Sequence, residues 1–193
     1  MFERFRGVFR PDGAGSPEPF PSASGLDLPG LRELAAECSG RTFGDGMVRV
    51  HAEAGSRLSS RLITEAFPEF AAASFLAVAQ DWTGRQYAVG TRPGTSHHGQ
   101  VLLFEPATGD SFETDVDVPA LLNEEFVSDP DTYLAGDLFA EWRSRDGRAL
   151  QPHQCVGFKV PLFLGGEGSV DNLEMVDLDV YWSILGQLRN RSA

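Results

Sequence analysis

Apolar residues at helical spacing mark the last part of the chain. They recur at intervals of three and four positions, so they share one face of a helix, and they are Leu178, Tyr181, Trp182, Leu185 and Leu188. This pattern predicts a closing amphipathic helix. A strand-like segment at 173–178 precedes it, and a glycine-rich turn at 165–168 precedes that strand. We expect this turn to be structural.

Runs rich in aliphatic and aromatic residues predict an antiparallel sheet in the middle of the chain. Strands are expected at Phe75–Asp81, Gln86–Gly90 and Val101–Phe104. The link Trp82–Arg85 is expected to form a hairpin turn, because Gly84 can adopt backbone angles that other residues avoid. A further strand is expected at residues 47–52.

The segment Asp110–Val116 is predicted to be a strand with two different faces. Side chains alternate across a strand. One face would hold Phe112, Thr114, Val116 and Val118, and the outer face would align Glu113, Asp115 and Asp117.

Helical patterns lie on both sides of these strands. Short helices are expected at Leu31–Cys38, at Leu62–Phe67 and from Pro119 onward. A longer helix should start at Asp129-Pro130, where the aspartate can cap the helix and proline suits its first position. The fold class predicted is α+β: a mainly antiparallel sheet with helices packed on one side and the amphipathic C-terminal helix.

Length and composition narrow the class of protein. The 193 residues are 41% hydrophobic, enough for a buried core, and no apolar run approaches the ~20 residues of a membrane helix. The N-terminus has no signal-peptide pattern, so we expect a cytoplasmic protein without membrane contact. The two cysteines, Cys38 and Cys155, are expected to be buried free thiols.

Charge is distributed unevenly along the chain. The formal net charge is −12, and no lysine or arginine occurs between Pro93 and Trp142, where eleven acidic residues lie. Such a surface would repel nucleic acid, whose binding depends on Lys and Arg neutralising phosphates. It would attract a basic partner, although a solvated acidic face that only aids solubility gives the same pattern.

No motif predicts catalysis, a metal or a cofactor. Asp129-Pro-Asp131 resembles the start of a calcium loop, but Leu134 stands where that loop requires glycine. His97-His98 could bind metal, yet no Cys or acid lies nearby at ligand spacing. His153 lies two residues from Cys155, which is weak evidence for a reactive thiol.

Two stretches carry a resemblance to a known family. Residues 155–166 (CVGFKVPLFLGG), together with 171–174, 181–182 and 186–188, resemble the C-terminal domain of the immunity protein that neutralises a type VI secretion DNase effector. Asp81–Gln86 and Val101–Gly109 resemble the GAD-like domain that precedes it. The implied organisation is a flexible Pro/Gly/Ser-rich leader (1–30), a GAD-like α+β domain (31–147) and an immunity-type domain (148–193), the last two packed as a single body.

The resemblance implies a non-enzymatic protein that binds and silences a cognate toxin, with a DNase as the expected kind. Because DNases carry Lys and Arg in their cleft, the hypothesis is binding of a basic toxin through an acidic surface. The residues predicted to form this surface are Glu113, Asp115, Asp117, Glu124 and Glu125. The alternatives are a small-ligand or metal-dependent enzyme that uses His97 and His98, and a structural homodimeric module.

Overall fold

The centre of the protein is a six-stranded antiparallel sheet whose strands follow one another in chain order. The structure is a computed structural model that describes residues 1–13, 16–20 and 27–192. The strands are β1 (Thr42–Phe43), β2 (Val48–Val50), β3 (Phe75–Asp81), β4 (Gln86–Gly90), β5 (Val101–Glu105) and β6 (Asp110–Glu113).

The β3–β4 hairpin confirms the predicted turn at residues 82–85. Gln80 pairs with Gln86, and Gly84 adopts a φ of 89°, which a residue with a side chain rarely adopts. The register shifts by one residue between Ala77 and Ala79, a β-bulge that bends the strand. The strand predicted at 47–52 is shorter, because the chain turns into a helix after Val50.

Helices cover both faces of the sheet, so the expectation of helices on one side was wrong, whereas the α+β class is confirmed. All five residues of β4 are buried. Tyr87 and Val89 belong to one hydrophobic cluster and Ala88 to another, because alternate side chains of an apolar strand point in opposite directions. A strand buried on both faces needs helices on both faces.

The first face packs against two N-terminal helices, α1 (Glu3–Val8) and α2 (Leu31–Glu37), and against the helical segment that follows β6. Phe2 and Phe5 are fully buried, and the ring of Phe5 lies 5.0 Å from that of Phe43. The prediction of a flexible leader over 1–30 is therefore wrong for residues 2–9, where aromatic side chains enter the core. Residues 14–15 and 21–26 of that leader lie outside the described residues.

The second face packs against α3 (Glu53–Ala66) and α8 (Leu178–Ser192). The predicted amphipathic C-terminal helix is confirmed, since Leu178, Tyr181, Trp182 and Leu185 are all buried. The helix expected at residues 62–67 is the last part of α3, which begins nine residues earlier. Its first turns are polar, so apolar periodicity does not reveal them.

A small second sheet lies beside the β3–β4 turn. It pairs β7 (Gln154–Phe158) with β8 (Leu173–Asp177), and α7 (Gly136–Arg145) packs on it. Trp82 and Trp142 stack there with ring centroids 5.5 Å apart. Among the described residues, no helix combines the length and apolarity needed to cross a bilayer.

The chain from β6 to α7 is a run of short helices. They are α4 (Val118–Ala120), a π-helical turn (Leu121–Glu125), α5 (Phe126–Ser128) and α6 (Pro130–Leu134). The single longer helix expected from Asp129 is in fact α6 and α7, because Ala135 adopts a left-handed φ of 48° between them. The Oδ1 atom of Asp131 accepts a hydrogen bond from Asp137 N at 2.8 Å and stabilises this break.

Candidate functional site

The loop between β6 and α4 holds two of the acidic residues predicted to bind a partner, Asp115 and Asp117. The strand ends at Glu113, not at Val116, and Asp115 takes a left-handed φ of 57°. Asp117 caps α4, its Oδ1 accepting a hydrogen bond from Ala120 N at 2.9 Å. The predicted alternation therefore fails here, and Phe112, expected to face inward, is 47% exposed.

Two of the five predicted residues lie together around Tyr133 on α6. Partial burial, a hydrogen bond with Glu125 and the negative charges of Glu125, Asp129 and Asp115 all raise the pKa of the Tyr133 phenol. Asp129 also caps α6, accepting from Thr132 N at 3.1 Å. We refer to Asp115, Glu125, Asp129 and Tyr133 as the acidic cluster.

The other three predicted residues, Glu113, Asp117 and Glu124, are not part of the acidic cluster, and Asp117 caps α4. Glu113 lies 3.6 Å from the Nδ1 atom of His97, and its side chain is mostly exposed. Glu124 is exposed on the π-helical turn. Sequence reasoning missed Asp129 and Tyr133 as neighbours of Asp115. The capping signal at Asp129 was present, but the turn that brings residue 115 back beside α6 leaves no periodic pattern.

The β3–β4 hairpin holds the end of α6 in place. The last carbonyls of a helix have no hydrogen-bond donor within the helix. In α6, side chains of the β3–β4 hairpin donate hydrogen bonds to these carbonyls. Trp82 Nε1 donates to Leu134 O at 2.8 Å, and Arg85 Nη2 donates to Tyr133 O at 3.0 Å. Tyr87 donates its hydroxyl to the same Tyr133 carbonyl. The acidic cluster therefore sits on a segment that is fixed to the sheet.

Arg85 is itself held by a buried carboxylate at the other side of the turn. Asp81 Oδ2 lies 2.6 Å from Arg85 Nε, and Asp81 Oδ1 accepts hydrogen bonds from the backbone N and the hydroxyl of Thr83. Burial alone would lower the pKa of Arg85, but the charge of Asp81 raises it, and we assign both groups as charged. The motif Asp81–Gln86 thus acts structurally.

Glu105 belongs to this interior network and not to the acidic surface. Its Oε2 atom lies 3.7 Å from Arg85 Nη1, and its side chain is only 15% exposed. Burial raises the pKa of Glu105 to about 7, while Arg85 acts in the opposite direction. One of the eleven acids counted in the sequence is therefore unavailable to a partner.

The glycine-rich turn at 165–168 is a structural feature, as predicted. Asn172 ties it down: its Nδ2 donates to the carbonyls of Val160 and Glu167, both at 2.9 Å, and its Oδ1 accepts from Val160 N at 2.9 Å. A side chain on Gly166 would collide with the carbonyl oxygen of Val160. These hydrogen bonds fix the conformation of the stretch that carries the family resemblance, so the role that they support is structural.

Groups capable of chemistry are dispersed. His98 is exposed, and His97 packs near the rings of Phe70 and Phe75. Within the described part of the chain no three His, Cys, Asp or Glu side chains form a group that could hold a metal. That the protein needs no metal stays a prediction.

Both cysteines are buried and free, as expected. Burial raises the pKa of Cys38 to about 11 and raises that of Cys155 further. His153 approaches Asp177 at 3.5 Å, on the solvent side of β7, whereas Cys155 faces the core. This arrangement disfavours the thiolate that a nucleophilic cysteine requires.

Comparison with known proteins adds two findings. Residues 120–189 match the family model described as T6SS immunity protein Tdi1, C-terminal, which confirms the resemblance predicted for the C-terminal part of the chain. The crystal structure of Atu4351 from Agrobacterium tumefaciens is 15% identical and superposes with a TM-score of 0.68, over 97% of this chain and 89% of that one. It has the same fold. No curated protein sequence matches.

Proposed function

We propose that this protein is a non-enzymatic immunity protein that binds and neutralises a cognate basic toxin of a type VI secretion system. The observation that carries the proposal is the family match over residues 120–189. That range includes Glu125, Asp129 and Tyr133, three of the four members of the acidic cluster. The segment that resembles an immunity protein thus also contains most of the acidic cluster.

The acidic cluster suits the capture of a cationic surface. Opposite charges on two proteins raise the rate of productive encounter, and the effect falls with salt. Each exposed ion pair would contribute only about 0.2–1 kcal/mol to the affinity. Tyr133, partly buried and fixed through its carbonyl, supplies a rigid aromatic group of the kind that dominates binding energy at interfaces.

A DNase is the toxin class that we expect. A surface that binds DNA must carry Lys and Arg to neutralise phosphates, and the same residues would be attracted to a carboxylate cluster. Bound there, the protein would block access of DNA to the toxin. Glu113, Asp117 and Glu124 stay predicted contact residues at the margin of the cluster.

The function is tested by co-expression. The reading frames that flank the gene are expressed singly in bacteria to find one that is toxic, and this protein is then supplied from a second plasmid. We expect survival to be restored and the two chains to co-purify from the lysate. A toxic neighbour that neither binds the protein nor is relieved by it would contradict the immunity function.

The surface is tested by neutralising three charges while keeping the backbone. In Asp115→Asn/Glu125→Gln/Asp129→Asn, asparagine tolerates the left-handed angle of residue 115 and can still cap α6. The matched control removes three exposed acids elsewhere, at Glu65, Glu167 and Glu174. We expect the cluster variant to associate with the toxin at least about tenfold more slowly and with a weaker salt dependence.

Both variants have the same net charge, so a difference between their rates of association with the toxin shows that the position of the removed charges matters. If they slow association equally, the overall charge acts and the cluster does not, and the surface assignment is wrong. If neither does, electrostatic capture is wrong as a whole, although the immunity function would stand on the survival assay.

A further inference from the structure

The two edges of the six-stranded sheet differ in how they are covered. β1 forms one edge, and the N-terminal segment pairs with it: Pro11 bridges to Phe43, and Asp12 N donates to Thr42 O at 2.9 Å. β6 forms the other edge, and within residues 1–13, 16–20 and 27–192 it pairs with β5 alone. An open strand edge is a surface on which a strand of another protein can pair.

Alternate residues of β6 direct their backbone groups away from the sheet. Thr114 N donates to Val101 O at 3.2 Å, and antiparallel pairing alternates between bonded and non-bonded pairs, so Phe112 directs its N–H and C=O toward β5. Ser111 and Glu113 therefore direct theirs outward. Among the described residues outside the sheet, none forms a hydrogen bond with the backbone of either residue. These N–H and C=O groups can bond to an added strand.

Phe112 lies at the end of a row of side chains that leads to the acidic cluster. Residues opposite one another on neighbouring strands point to the same face of a sheet. The register places Phe112 opposite Leu103, and Leu103 opposite Tyr87, whose hydroxyl donates to Tyr133 O. Leu103 and Tyr87 are buried, whereas Phe112 is 47% exposed. An aromatic ring at this position can anchor a partner, and it is continuous with the surface already proposed to bind the toxin.

The charge of this edge determines which strand it can accept. Asp110 and Glu113 lie within β6, Asp115 follows two residues later, and no Lys or Arg occurs from Pro93 to Trp142. A second copy paired antiparallel about the middle of β6 would place Asp110 beside the partner's Glu113. Like charges directly opposite each other destabilise a strand pair, so a second copy is disfavoured. A strand that carries Lys or Arg would be attracted instead.

We propose that the toxin binds by adding an extended basic segment to the free edge of β6. Its backbone would bond to Ser111 and Glu113, and an apolar side chain would contact Phe112. This inference rests on the proposed function, which supplies the toxin, and it names the mode of binding. The acidic cluster would speed the encounter, while the backbone hydrogen bonds, which are short-range, would slow dissociation.

Ser111→Pro tests the added strand without changing any charge. Proline lacks the N–H that would be donated to the toxin, and it is tolerated on an edge strand where that N–H faces solvent. The matched control, Ser111→Ala, keeps the N–H. We expect Ser111→Pro to dissociate from the toxin on the order of tenfold faster, because a carbonyl of the toxin is left without a donor. Ser111→Ala should dissociate at the rate of the original protein, and thermal unfolding shows that each variant is folded.

Hydrogen exchange of the unmodified full chain gives a second measurement that needs no variant. In the free protein, the amides of Ser111 and Glu113 should exchange rapidly. In the complex with the toxin, their exchange should slow at least about tenfold, because each amide gains an acceptor. The amide of Phe112, which already donates to β5, should change less.

Two results would overturn the added strand and leave the immunity function intact. In one, the toxin is bound and neutralised while the amides of Ser111 and Glu113 stay unprotected. In the other, a folded Ser111→Pro dissociates as slowly as Ser111→Ala. A free protein that is dimeric, with these two amides already protected, would place a second copy on the edge and would also overturn the proposal. Failure of the proposed function is recognised separately, because no flanking toxin would then be relieved in the survival assay.

Discussion

Replacing Arg85 by methionine is the most informative perturbation of the fold, because this one side chain joins the sheet to the segment that bears the acidic cluster. Its guanidinium contacts Asp81 at 2.6 Å, donates to Tyr133 O at 3.0 Å and donates to Thr132 O at 3.3 Å. Methionine keeps most of the apolar stem and loses all these contacts. The buried carboxylate of Asp81 then has no counter-charge.

The expected cost follows from burial. The side chains of Arg85 and Asp81 are 8% and 0% exposed, so solvent cannot replace the lost partner. Removing one member of a buried pair costs about 3–5 kcal/mol, a large share of a total stability of about 5–15 kcal/mol. With an m-value of about 2 kcal/mol/M, the midpoint of urea unfolding should fall by about 2 M.

Urea unfolding followed by tryptophan fluorescence measures this directly, since Trp82 donates to Leu134 O in the same contact set. The control is Arg57→Met, which removes an arginine from an exposed pair with Glu53 and should stay within about 0.5 kcal/mol of the original. Hydrogen exchange should also speed up in residues 126–134 of Arg85→Met. A loss below about 1 kcal/mol, or exchange unchanged in that segment, would refute the anchoring role.

Three further predictions follow from single groups. Burial raises the pKa of Glu105 from 4.5 to about 7, so the folded state prefers its neutral form; this stability is present below pH 4.5 and is lost as pH rises through 7. Glutamine cannot ionise, so Glu105→Gln should lose up to about 3 kcal/mol less unfolding free energy than the original protein does between pH 4.5 and pH 8, as measured by urea titration at each pH. If the unfolding free energies of the two proteins changed in parallel with pH, this prediction would be contradicted. Gly166→Ala should lower thermal stability by about 1–3 kcal/mol through its clash with Val160 O, and Gly168→Ala, with open space around it, should not; equal melting points would contradict this. The two buried thiols should react with a thiol reagent only after unfolding, and rapid reaction of the native protein would contradict their burial.

The strands and the closing helix could be predicted because each is specified by local pattern. Phe75–Asp81 and Gln86–Gly90 are the observed bounds of β3 and β4, and Gly84 takes the positive φ that the turn needs. The apolar face of α8 follows the predicted three-and-four spacing. In these elements the residue type alone decides the backbone conformation or the buried side.

Tertiary contacts decided the features that the sequence did not predict. In the sequence, Phe2 and Phe5 form no pattern that predicts their burial. They are core residues because they pack near Phe43 and Phe126, which are distant in the chain. Ala135 is a good helix former, yet it adopts the left-handed angle that separates α6 from α7. The acidic cluster depends on this loop geometry, so its membership could be predicted only in part.

A stoichiometric titration of the purified toxin tests the central claim most directly. Toxin activity is measured against increasing amounts of this protein, and the toxin is then analysed by mass spectrometry. The account predicts a linear fall to full inhibition at one molecule per toxin, with the mass of the toxin unchanged and activity regained after separation. Inhibition by a small fraction of an equivalent, or a toxin left with an altered mass, would show that the protein acts as an enzyme and would contradict the account.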